Sequence, residues 1–262
     1  MKRNLPLYII LVLLTLLPTL PGYAQSTPVS RVIVLCDVSN SIAQPGGGYQ
    51  NRLAEIGRTC SQLLRHYPHG SSISFYFINS NAAAVPFVRF DAPVVKQRSA
   101  WQVEQQLESL EKAISTRIDS AAHNQEKQTC ILTSVENACD NFAAESVGNN
   151  LPNVLIIFSD LLEQCHATSV GKIWMNDKGT FLTKAELSAI GSYQAKPAWQ
   201  GLHIQLQVVN ISGYMSIGLK NSIQIAWTTL FRKMGLLPQS ANQFLFLSAL
   251  QVPPCKEYKK PF

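Results

Sequence analysis

Two apolar segments of this 262-residue chain end on an aspartate. Residues 31–37 read RVIVLCD and lead into Val38-Ser39-Asn40-Ser41, and residues 153–160 read NVLIIFSD. In the first, Asp37, Ser39 and Ser41 stand at i, i+2 and i+4 on one loop, where one carboxylate and two hydroxyls can converge on a point. All three are hard oxygen donors, the kind that suits Mg²⁺, with Mn²⁺ as the second choice. Asp160 offers a second carboxylate, although an aspartate there can also cap the segment that follows it. Thr133 opens the sequence TSVENA. Thr133 and Glu136 have the T-x-x-E spacing of a capping box, which by itself accounts for both residues.

Other chemistries are poorly served. A phosphoryl-transfer site built on a strand-terminal aspartate needs a second close acid or base. Two residues after Asp37 comes Ser39, not an acid. No Ser/His/Asp or Cys/His set stands out, and no GxGxxG follows the first apolar segment. The run Gly46–Gly48 can cradle an anion before a helix, but a lone glycine run is weak evidence.

The elements that position these residues follow from the apolar pattern. RVIVLCD reads as a strand buried on both faces. Leu53, Ile56, Cys60, Leu63, Leu64 and Tyr67 recur at helical spacing, and Pro68-His69-Gly70 ends that helix. Residues 72–79 are a second strand. Residues 85–90 are a shorter one whose Pro86 places it at an edge. Ser99 and Gln102 form a capping box for a helix with the stripe Val103, Leu107, Leu110, Ile114 and Ile118. Residues 119–129 read as a loop, 134–147 as a helix and 153–160 as a strand. Residues 161–182 read as one long connection carrying Cys165, His166 and Trp174. Thr183 and Glu186 cap a short helix. Residues 202–209 read as a strand, 219–234 as a helix closed by Gly235, and 243–250 as a last strand. Strands alternate with helices from end to end, which predicts an α/β fold, doubly wound. Its sheet is mainly parallel, with one short antiparallel edge strand and helices on both faces. In such a sheet ligands bind at the carboxyl ends of the strands, where both aspartates stand. Trp101, Trp199 and Trp227 read as packing groups, and His203 as a structural residue at a strand start.

At these residues the sequence resembles the von Willebrand factor type A domain. DVSNS matches that family's D-x-S-x-S loop after the first strand. TSVENA fits its T-x-[I/V]-x-x-A pattern, and IIFSD supplies its second aspartate at the end of the fourth strand. The resemblance runs over about residues 31–250. It implies a metal-ion-dependent adhesion site made of Asp37, Ser39, Ser41, Thr133 and Asp160. Two departures are visible: the Thr loop lacks the glycines common in the family, and the segment after Asp160 is long enough to shape or gate the site. Cys130 and Cys165 both fall on the face of the sheet that carries the site, which makes them the expected disulfide pair. Cys36, inside the first strand, reads as a buried thiol. A link between Cys60 and Cys255 is a weaker expectation.

Lys2 and Arg3, the apolar run 5–20, Pro18 and the small residues Gly22 and Ala24 form a secretory signal pattern, with cleavage after Ala24. The alternative is a retained N-terminal anchor, the one way the chain would touch a membrane. Residues 25–262 then read as a single domain with a tail over 251–262. Six cysteines without a CxxC pair suit an oxidising compartment and a mixture of bridges and buried thiols. The chain carries 22 Lys+Arg and 16 Asp+Glu. No basic run exceeds two residues, so no nucleic-acid partner is expected. The combined expectation is an exported, non-enzymatic module that binds an acidic side chain of a partner protein through Mg²⁺. The alternatives are a metal-dependent phosphohydrolase and a scaffold with a structural metal.

Overall fold

In a computed structural model, the residues described are 29–38, 48–67, 71–79, 85–91, 99–123, 129–146, 151–168, 171–174, 183–210, 217–239 and 246–247. The leader, Ser39, Ser41, Cys255 and the tail lie outside them. All described residues fall in one unit, Pro28–Cys255.

The β-branched run Arg31–Asp37 is strand β1, buried at every position. It is flanked on both sides by parallel strands, β2 (Ser72–Ile78) and β4 (Asn153–Phe158). A strand so enclosed has no polar face, which is why its sequence is continuously apolar rather than alternating. β3 (Val88–Asp91) pairs antiparallel on β2. It begins two residues after Pro86, which has no N–H to give a ladder. β7 (Ile204–Val209) lies parallel to β4, and β8 (Phe246–Leu247) parallel to β7. The order is β3-β2-β1-β4-β7-β8, five strands parallel and one edge antiparallel. The α/β architecture expected from the sequence is the one observed.

Helices cover both faces. Helices α1 (Gly48–His66) and α2 (Ala100–His123) bury Leu53, Ile56, Leu63, Ile114 and Ile118 against Val32, Val34 and Cys36. Helices α3 (Ile131–Glu145), α4 (Lys184–Ser192) and α5 (Ile217–Lys233) close the other face, where Ile33 and Leu35 meet Val135, Phe142 and Trp227. The period-2 alternation of β1 therefore feeds two separate cores. α5 ends as its glycine predicts. Gly235 has φ 78°, its N–H donates to Arg232 O at 3.0 Å, and Leu236 N–H donates to Phe231 O at 2.8 Å. This is a Schellman closure, which needs a left-handed residue at that point.

The structure departs from the sequence reading in several places. α2 continues to His123, past the polar stretch expected as a loop; its buried stripe extends to Ile118 and Ala121 still packs on the core, while Asp119 and Ser120 are exposed. α3 begins at Ile131 rather than 134, so Thr133 is not its cap. The connection 161–182 contains a hairpin, β5 (Gln164–Thr168) with β6 (Gly171–Trp174). Trp199 and Trp227 pack inside, but Trp101 is 70% exposed. His203 precedes β7 and is exposed. Cys60 is a free buried thiol, its sulfur 3.8 Å from that of Cys36 in the sheet–helix core, so it does not pair with Cys255.

Candidate functional site

β1 and β4 run side by side in register, with Cys36 opposite Phe158. The residues that follow, Asp37 and Ser159, therefore emerge together at the carboxyl edge of the sheet. Ser159 Oγ donates to Asp37 Oδ2 at 2.7 Å and accepts from Leu161 N–H at 2.9 Å. Asp160 Oδ1 accepts from Leu162 N–H at 3.0 Å. These side-chain bonds to the backbone two residues on replace a strand ladder by a tight reversal. Leu161 takes φ 60° within it, the one non-glycine residue with positive φ among the described residues. Such a conformation costs on the order of 1–2 kcal/mol for a residue with a Cβ. Burial of the Leu161 side chain and a 3.0 Å bond from Trp227 Nε1 to its carbonyl hold it there.

The reversal delivers a third acid. Glu163, fully buried like Asp37 and Asp160, accepts from Leu132 N–H at 2.8 Å through Oε2. It thus caps the N-terminus of α3 from another part of the chain, where a carboxylate complements the helix dipole. Burial pushes its carboxyl up to about 8. The nearby Asp37 and Glu136 push the same way, while the N–H groups of Leu132 and Ile131 pull it back. Its Oε1 is buried and has no hydrogen-bond partner.

The N-terminus of α3 is tied to the same segment covalently. Cys130 immediately precedes the helix and forms a disulfide with Cys165, with a Cα–Cα distance of 4.8 Å. Gln164 N–H donates to Thr129 O at 3.0 Å alongside. The two sulfurs and a Glu163 oxygen lie within 4.8 Å of one another. With the sulfurs bonded to each other, they offer no thiolate to a metal.

The sequence-derived residues are distributed as follows. Asp37 ends β1, and Asp160 lies two residues past the end of the adjacent β4, which stops at Phe158 rather than 160. Thr133 stands in the first turn of α3, one residue beyond the N–H that Glu163 holds, and is half-buried. Ser39 and Ser41 lie outside the described residues. Glu163 was missed. The signal for it was an acid in the apolar stretch LLEQC, three residues after a strand-ending aspartate. Glu136, read as part of a capping box, has another role. Tyr193 Oη donates to its Oε1 at 3.0 Å, which fastens the end of α4 to α3. Asp140 acts alike, accepting from Trp199 Nε1 at 2.8 Å and Lys196 Nζ at 2.6 Å.

The donors assembled at this edge are all oxygens, and one of them, Glu163 Oε1, is sealed from water without a partner. A set of carboxyl and hydroxyl oxygens fits a hard divalent cation better than a soft one.

No family model matches the sequence, and no curated protein matches it. Solved structures that the chain matches include the pilus adhesin SpaC from Lactobacillus rhamnosus GG, 11% identical with a TM-score of 0.46, the match covering 81% of this chain and 28% of that one. A second is proximal thread matrix protein 1 from the mussel byssus with a zinc-occupied MIDAS motif, 15% identical with a TM-score of 0.41, covering 80% and 48%. A third is a von Willebrand factor type A protein from Catenulispora acidiphila, 10% identical with a TM-score of 0.40, covering 78% and 43%. The chain spans less than half the length of each. None reaches a TM-score of 0.5, so the α/β assignment rests on the strand order and the helices themselves.

Proposed function

We propose that this chain is an exported binding module whose carboxyl-edge site takes a divalent cation, Mg²⁺ or Mn²⁺, and through it a carboxylate of a partner protein. The observation that carries this reading is the pair of buried aspartates at the carboxyl edge of two adjacent strands, Asp37 ending β1 and Asp160 just past β4. Asp37, Ser39, Ser41, Thr133 and Asp160 would hold the cation. Bound there, the cation supplies an open coordination position and a positive charge that attracts an acidic side chain.

The chain's own residues prepare the site. Ser159 fixes one oxygen of Asp37, so that carboxylate is oriented before anything binds. The backbone bond to Asp160 Oδ1 fixes the second acid. Glu163 anchors the helix that carries Thr133. The disulfide joins that helix to the segment following Asp160, so the two sources of donors move together. The leader pattern and the disulfide support export.

Calorimetric titration of the purified protein with Mg²⁺ and with Mn²⁺, beside Asp37→Ala, tests this. One site in the wild type that is lost in the variant supports the reading. Equal binding by both, or none by the wild type, overturns it. A second reading, a metal-dependent phosphohydrolase, has one observation in its favour: Glu163 adds a further acid near Asp37, beyond Asp160. Mg²⁺-dependent release of p-nitrophenol from its phosphate ester, abolished by Glu163→Gln, would favour the enzyme.

A further inference from the structure

At the opposite edge of the sheet, β1 begins with a charge that no acid among the described residues balances. Arg31 is 5% exposed. Its Nη2 donates to Ser146 Oγ at 2.8 Å and, at 3.4 Å, to Leu151 O. Its Nε and Nη1 are buried and have no hydrogen-bond partner. Among the described residues no acid pairs with it. Two guanidinium donors that have lost both water and protein acceptors carry a desolvation cost. Ser146 is the C-cap of α3, so the carbonyl end of that helix offsets part of the charge. It supplies no acceptor to Nε or Nη1.

Arg31 lines a cavity of about 790 Å³ at this edge. That volume falls within the range of small-molecule sites. The cavity is formed by the starts of β1, β4 and β7 and by the turn that closes α5. No lining residue is acidic. Leu202, Leu236 and Leu237 give it an apolar wall, and His203 stands exposed at the start of β7. The lining of the cavity thus includes a buried cation short of acceptors, together with surface for an apolar body.

We propose that this cavity is a binding site for a small amphiphilic carboxylate, its head group on Arg31 and its apolar part against Leu202, Leu236 and Leu237. A carboxylate brings both the missing acceptors and the missing charge, and charge-assisted bonds to a guanidinium are the stronger kind. An alcohol of the same length brings acceptors without charge, and acetate brings the charge without the body. The site is independent of the carboxyl-edge cation site, which lies at the other end of β1.

Decanoate serves as the probe. It is titrated calorimetrically into the purified protein in the presence of a chelator, so that no metal can hold the carboxylate. Decanol, acetate and Arg31→Gln are run alongside. One saturable decanoate site is expected, about tenfold or more weaker in Arg31→Gln, with decanol and acetate each weaker by at least about as much. Absence of a saturable site, unchanged affinity in Arg31→Gln, or equal binding of decanol overturns the proposal. Should Arg31→Gln fail to fold by circular dichroism, Leu202→Trp narrows the cavity and leaves Arg31 untouched. It should weaken decanoate about tenfold, and unchanged affinity there also overturns the proposal.

Discussion

The two ends of β1 solve opposite problems with the same helix. Asp37 and Arg31 have the same parity along the strand as Ile33 and Leu35, so both fall on the face that α3 covers. At the carboxyl end Glu163 takes up an N–H from the first turn of α3. At the amino end Arg31 reaches the C-cap Ser146. An acceptor for the free N–H groups at the helix N-terminus and a cation at its C-terminus is the arrangement the helix ends favour. The ends differ in which polar groups are left over: an acceptor, Glu163 Oε1, at the carboxyl end and two donors at the amino end. Asp37 and Asp160 each receive a short bond from a neighbouring donor, whereas Arg31 keeps two donors with no acceptor. The carboxyl edge is organised in advance by the chain, and the amino edge is not.

If that contrast holds, the largest effect should come from releasing the organised end. Replacing Cys130 and Cys165 together by Ser frees the N-terminus of α3 from the segment after Asp160. For a sequence separation of 35 residues, loss of the cross-link should cost about 4 kcal/mol in the chain-entropy account. Urea unfolding measures it. A loss below about 1 kcal/mol would mean that the hydrogen bonds alone fix the helix end.

Glu163 gives the next effect. Its carboxyl stays protonated to about 8 in the fold, against an ordinary value of 4.5. Between those values the folded chain holds one proton more than the unfolded chain. Stability without metal therefore falls as pH rises through that window, and levels off on either side. Glu163→Gln keeps the acceptor for Leu132 N–H and has nothing to titrate. Unfolding in chelator at pH 5, 6, 7 and 8 should show a decline in the wild type that flattens in the variant. Parallel curves would show that Glu163 is ionised in the fold.

The sheet and most helices were legible because their signals are local: the continuously apolar run of β1, the 3.6-residue stripe of α2, the Thr183–Glu186 box, the glycine after α5. Both strand-ending aspartates could be read for the same reason. The misread start of α3 shows where locality fails. Its N-terminal N–H groups are met by Glu163, 31 positions away in sequence. No spacing rule within 130–140 can reveal that, and the local T-x-x-E pattern pointed to the wrong cap. Glu136 was spoken for by Tyr193, likewise from a distant element. Nor was the Arg31 cavity visible, because an arginine at the head of an apolar strand looks like a solvated flank until its neighbours are placed.

A smaller effect probes the strained turn at the organised end. Trp227→Phe keeps most of the apolar packing and removes the bond to the Leu161 carbonyl. Leaving that buried carbonyl without its donor should cost about 2 kcal/mol. If Leu161 then relaxes from its positive φ, the metal site should loosen as well, so the variant should bind Mn²⁺ more weakly than the wild type. Lost stability with unchanged Mn²⁺ affinity would separate the turn from the site.

The smallest effect belongs to the amino end. Ser146→Ala removes the one short acceptor that Arg31 has, leaving Leu151 O at 3.4 Å. In a fully satisfied network such a loss would strand a buried charge and cost several kcal/mol. Here two donors are already stranded, so the third should add only about 1 kcal/mol in urea unfolding. Decanoate should restore part of that loss, because a carboxylate on the guanidinium takes over the vacated donor. If Ser146→Ala instead unfolds the protein, Arg31 is a structural keystone bonded as tightly as Asp37, and the contrast between the two ends of β1 disappears.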